Sequence, residues 1–232
     1  MKKQLLVAAL GLVLSSPVFA EEDGCNISAD VVQKLQSKLS TVITQNNGGL
    51  FSPNHMWSAV VDRSGVLCSV IRSDPDAWPG SRSIAIAKAS AANDFSSKQL
   101  ALSTANLYSF TQPANSNSSS GIVFPAGSLY GLNNSNPFNP AFQPQNTGVG
   151  RVPGGIITFG GGVALYRNGQ VIGGLGVSGD TACADHAIAY RMRAAVGLNS
   201  TPTSDNIVYL NVGELPHDLG HPHCFVGHDI TP

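Results

Sequence analysis

Residues 161–179 read GGVALYRNGQVIGGLGVSG, and the fold turns on how the second half of that stretch is paired. Asn168-Gly169 stands between two apolar runs. That dipeptide suits a two-residue type I′ hairpin turn, because both central residues there take positive φ. Residues 163–167 and 170–177 are therefore expected to be neighbouring antiparallel strands. Gly174-Leu175-Gly176-Val177-Ser178-Gly179 also satisfies the spacing GxGxxG. A dinucleotide site needs that loop after a parallel strand, with the pyrophosphate at the next helix N-terminus. Here the first glycines lie inside a strand already committed to a hairpin. They are expected to mark close approach by a helix, another backbone or a ligand.

Working outward, Asp180 or Thr181 caps a predicted helix over residues 182–196, with His186 in its first turn and Gly197 at its end. A short strand at 156–159 precedes the hairpin, and another at 207–212 follows the helix. Nearer the N-terminus, Val31, Leu35, Leu39 and Val42 recur at helical spacing within residues 28–46. Residues 56–61 and 66–72 form a second predicted hairpin across Asp62-Arg63-Ser64-Gly65, with Trp57, like Tyr166 later, on a sheet face. An alanine-rich helix at 83–94 has side chains small enough to lie close on a sheet. Ser96-Ser97-Lys98-Gln99 resembles a capping box opening a further helix toward Leu107. Residues 109–153, rich in Ser, Asn, Pro and Gly, read as an insertion. The order predicts an α+β protein: a central antiparallel sheet of about five to six strands with helices packed on it.

The first twenty residues have the three parts of a secretory signal: Lys2 and Lys3, an apolar run over residues 5–14, and small residues at Val18-Phe19-Ala20. Cleavage after Ala20 predicts a periplasmic or secreted chain, residues 21–232, with no membrane insertion. Without the two signal lysines, 11 basic face 14 acidic residues and no basic run is left. Nucleic acid is accordingly excluded as a partner. Cys25, Cys68, Cys183 and Cys224 all remain in an oxidising compartment, and two disulfides are expected in any of three connectivities.

Catalytic signals are weak. Ser178 stands between strand and helix, but Asp180 occupies the last position that GxSxG reserves for glycine. Asp62, Asp180 and Asp185 are scattered, so an enzyme acting on a small molecule in the Gly-rich cleft stays a minor alternative. The tail at 199–232 is more pointed: His217, His221, His223 and His228 fall within twelve residues. Imidazole suits zinc, copper or haem iron. An extended His221-Pro222-His223 would put both rings on one side. The competing reading is a surface tail whose histidines meet only water.

Together, residues 56–65, the alanine-rich helix and residues 161–179, with Asp185 beyond, resemble the GlcG/HbpS-like family, which includes the C-terminal domain of PduO-type cobalamin adenosyltransferases. The resemblance covers roughly residues 27–108 and 153–198. It implies an α/β/α-type sandwich, assembly into homo-oligomers, and binding of haem or a related tetrapyrrole, with degradation or sequestration as the roles. Within that frame the expected disulfides are Cys183–Cys224, tying the tail to the last helix, and Cys25–Cys68. Cys224 would then hold His221 and His223 near His186, making those three the candidate haem-binding residues. Zinc or copper held by His217, His221, His223 and His228 is the alternative.

Overall fold

The Asn-Gly turn forms as the sequence requires: Asn168 and Gly169 both take left-handed φ, 52° and 73°. The computed structural model describes residues 24–113, 129, 148–225 and 229–232. The signal segment, most of the insertion and His228 lie outside the described residues. Around the turn, β3 (Gly162–Arg167) pairs antiparallel with β4 (Gln170–Ser178). The N-terminal hairpin is β1 (Trp57–Asp62) and β2 (Leu67–Arg72). β1 also pairs antiparallel with β4, giving one sheet in the order β2-β1-β4-β3. The glycine-bearing strand is thus interior and flanked by antiparallel neighbours on both sides.

The sheet has four strands, fewer than the five to six expected. The outer edge of β3 is already occupied: Thr104 bonds both backbone groups of Gly162, and Tyr166 N–H donates to Leu198 O at 2.9 Å. No continuous ladder is left there for residues 156–159, which stay irregular. The predicted strand at 207–212 contracts to β5 (Val208–Tyr209), pairing in parallel with β6 (Gly220–His221) in a separate two-stranded sheet.

Helices cover both faces. On one lies α3 (Ser81–Asp94), over Trp57, Ala59 and Val61 of β1. On the other, Val60, Val163, Leu165, Leu175 and Val177 pack on α1 (Ala29–Gln36), α2 (Leu39–Val42) and α5 (Ala182–Ala194). Each aliphatic side chain buried there contributes about 1.5–3 kcal/mol. The strand glycines explain how α3 fits. A β-carbon on Gly176 would stand 2.5 Å from Ala89 N and 3.0 Å from Ala85 C, and one on Gly174 would stand 3.0 Å from Ala89 C. The GxG spacing is therefore a bed for a helix backbone.

Two helix predictions give way to local side-chain hydrogen bonds, which compete with helical ones. The 28–46 helix divides into α1 and α2 where the Ser37 hydroxyl donates back to Lys34 O at 2.8 Å and Lys38 N–H reaches Leu35 O instead of Lys34 O. The helix expected toward Leu107 does not form. Ser97 Oγ accepts from Gln99 N–H and Leu100 N–H, Asn106 Oδ1 accepts from Ser103 N–H, and only α4 (Tyr108–Thr111) is helical. Both expected disulfides are present, Cys25–Cys68 and Cys183–Cys224.

Candidate functional site

Beyond Leu198 the chain turns back over the end of the sandwich where α5 begins. Three devices fasten it. Arg193 and Asp205 form a buried two-point ion pair, 2.5 and 2.6 Å. Ser109 Oγ lies 2.8 Å from Gly220 O and 3.1 Å from His217 O. Cys224 is bonded to Cys183 in the first turn of α5.

The fastening draws His186 and His221 together against Gly160 and leaves His217 and His223 outside. His221 is 2% exposed. Its Nδ1 donates to Pro222 O at 2.7 Å, since a carbonyl can only accept, and its Nε2 accepts from Gly160 N–H at 3.3 Å. Burial pushes its pKa down to about 4, so at neutral pH the ring is uncharged with both nitrogens used. His186 is wholly buried, with Nε2 3.1 Å from Ile207 N and 3.2 Å from Asn206 Oδ1, and burial drives its pKa down to about 3. Neither ring offers a lone pair to solvent. His223 is half-exposed, stacked on Tyr209 with centroids 5.0 Å apart, and its Nδ1 is 2.7 Å from Asp229 Oδ2. His221 is buried and His223 exposed, so the two rings stand in different surroundings. Among the described residues, no tail histidine joins a three-donor cluster of metal-ligand spacing.

His217 has a different setting. It stands in the wall of a cavity of about 520 Å³ whose other walls include Val208, Tyr209, Leu210 and Leu219. Nearby in sequence, Val212 is 93% and Leu215 61% exposed. His217 Nε2 is 2.9 Å from Glu214 Oε1 and Nδ1 is 3.3 Å from Asp218 Oδ2; these carboxylates raise its pKa above the ordinary imidazole value. A second cavity, about 560 Å³, opens between α1 and β2, and among the described residues no histidine, tyrosine or methionine lines it.

The three scattered carboxylates are each held by hydrogen bonds or an ion pair within the fold. Asp62 accepts from the backbone N–H of Asn26, Ser64 and Val66. Asp180 accepts from Leu50 N–H and Phe51 N–H, at 2.7 and 3.1 Å. Asp185 is paired with Lys88, Nζ to Oδ2 2.6 Å, with both side chains out of solvent. Burial pushes the Asp185 carboxyl up to about 6 and the Lys88 ammonium down, and their mutual attraction opposes both shifts. Lys88 was invisible in the sequence except as the lone charge on the Ala85–Ala92 face of α3.

The sequence model of the family described as haem degrading protein HbpS-like matches residues 27–194. The chain is 36% identical over 81 residues to the corrinoid adenosyltransferase PduO of Salmonella typhimurium. That match spans 35% of this chain and only 19% of the enzyme. Among solved structures, a PduOC:heme complex is similar at 26% identity and a TM-score of 0.52, covering 75% of this chain and 98% of that one. The crystal structure of HbpS is similar at 21% identity and a TM-score of 0.46, covering 82% of this chain and 99% of that one. The tail stands beyond the residues matched by the family.

Proposed function

The chain belongs to the HbpS-like family, and from that premise we propose that it is an exported haem-binding protein. We place the tetrapyrrole in the tail cavity, with His217 as the iron ligand. The observation that carries this reading is the His217 imidazole, about a third exposed, in the wall of a mainly apolar recess of about 520 Å³, within the range of small-molecule sites. Haem iron takes an axial His, Cys, Met or Tyr, and all four cysteines are spent in disulfides. Both His217 nitrogens face carboxylates, so iron would displace one of these contacts, and the other would supply the carboxylate partner that metal-bound histidines commonly have. His221 and His186 contribute by holding the tail, and His223 is the accessible competitor. Export is supported by the two disulfides and the signal-like N-terminus; among the described residues no helix is long and apolar enough to cross a membrane.

The test is a hemin titration of the mature chain followed by the Soret band. His217→Ala should weaken binding and alter the band, His223→Ala should leave both nearly unchanged, and acid should weaken loading as His217 protonates. A titration without spectral change, or one that His217→Ala does not touch, refutes the assignment.

A further inference from the structure

The cavity between α1 and β2 is separate from the tail, and its chemistry is different. Ile27, Val32 and Ile71 form apolar walls, and the Cys25–Cys68 disulfide closes one edge. Among the described residues, no charged side chain lines it. Its polar end is built in an unusual way. Gln36 occupies a buried position of α1, only 6% exposed, where helical spacing from Val32 and Leu35 calls for an apolar residue. Its amide is fixed by Ser58, whose Oγ donates to Oε1 at 2.6 Å, and its Nε2 lies 3.2 Å from Ser69 Oγ. Ser69 thus accepts from Gln36, and its own hydroxyl proton is used by none of the described hydrogen bonds. A hydroxyl held this way is a donor presented at the end of an apolar slot.

We infer that this cavity binds an uncharged, chiefly hydrocarbon molecule carrying one oxygen acceptor, a carbonyl or hydroxyl, at its Ser69 end. The volume of about 560 Å³ admits a ligand of ordinary small-molecule size. The missing countercharge sets the class: a carboxylate or phosphate would be taken from water without a partner, which a neutral oxygen avoids.

The experiment uses the full mature chain and the uncharged fluorophore N-phenyl-1-naphthylamine, excited directly and followed by anisotropy. Decan-1-ol and decanoate at mildly alkaline pH serve as competitors. Ala29 and Gln33 line the cavity from exposed positions on α1, so Ala29→Trp and Gln33→Trp fill it without disturbing the core. The expected result is saturable one-to-one binding, displaced by decanol at about tenfold lower concentration than by decanoate, and weakened about tenfold or more by each tryptophan. The thermal midpoint and the hemin titration should stay as in the parent, which keeps this inference distinguishable from the haem assignment. Absence of saturable binding, binding indifferent to both tryptophans, or equal competition by decanoate overturns it.

Discussion

Replacing Gly176 by alanine places one methyl group where α3 already lies. Its β-carbon would stand 2.5 Å from Ala89 N and 3.0 Å from Ala85 C, with Ala85 O nearer still. Carbon–oxygen contacts of this kind settle at about 3.3–3.6 Å, so helix and strand must separate by roughly an ångström. All the atoms met are backbone, and no rotamer change relieves them. Nor can the helix move freely, because Gly174 lies under Ala89 and Lys88 is tied to Asp185. Overpacking of this sort costs about 1–3 kcal/mol, and the rigidity of the obstacle places it at the upper end. Against that, alanine regains about 0.5–1 kcal/mol of backbone entropy relative to glycine in a strand. The net loss should be about 2 kcal/mol. Gly169→Ala is the internal control: nothing lies within 4 Å of its β-carbon, and its φ of 73° leaves only the left-handed penalty. That penalty is about 1–2 kcal/mol, with no packing component. Urea unfolding at matched m-values reads both, and a native-state probe of α3, such as hydrogen exchange, should register disturbance in Gly176→Ala alone. If Gly176→Ala costs less than ~1 kcal/mol, or leaves α3 exchange unchanged, the helix-bed argument is wrong.

Three further outcomes follow from the tail. Asp205→Ala leaves Arg193 buried without its partner and should cost about 3 kcal/mol in urea unfolding; a loss within error would mean the pair is solvated. Acid should destabilise the protein between pH 6.5 and 4: unfolded imidazoles take up protons there, while His186 and His221, with pKa values pushed down to about 3 and 4, do not. Asp185, raised to about 6, works in the opposite direction over part of that window, so His221→Gln should flatten the pH dependence of the melting midpoint without abolishing it. Replacing Cys183 and Cys224 by serine opens a 41-residue separation, worth about 4 kcal/mol in a chain-entropy model. Limited proteolysis should then trim the tail before the sandwich, and equal protection of the two would contradict the latch.

Much of the sandwich was legible because its signals are local. The Asn-Gly turn, the small residues of α3 and the Thr181 cap of α5 each act through neighbours a few residues away. The Thr181 hydroxyl accepts from Ala184 N–H at 3.2 Å, as the pattern before the helix suggested. The errors have the opposite origin. Whether residues 156–159 join the sheet depends on Thr104 and Leu198, distant in sequence, having taken the edge of β3. The candidate site was legible only in composition. Four tail histidines are visible in the sequence, but that His221 is buried and His223 exposed depends on Gly160, Pro222 and Asp229. The Lys88–Asp185 contact joins positions 97 residues apart and had no local sign.

That contact also governs how the molecule can come apart. α3 and α5 cover opposite faces of the sheet, and the ammonium and carboxylate meet past its end, where Lys88 Nζ also donates to Val177 O at 3.2 Å. Neither layer can peel away alone without stranding an ion in a dry interior, a penalty of about 3–5 kcal/mol. Half-opened forms are thereby suppressed, and the two helices should exchange their most protected amides through one shared, global event.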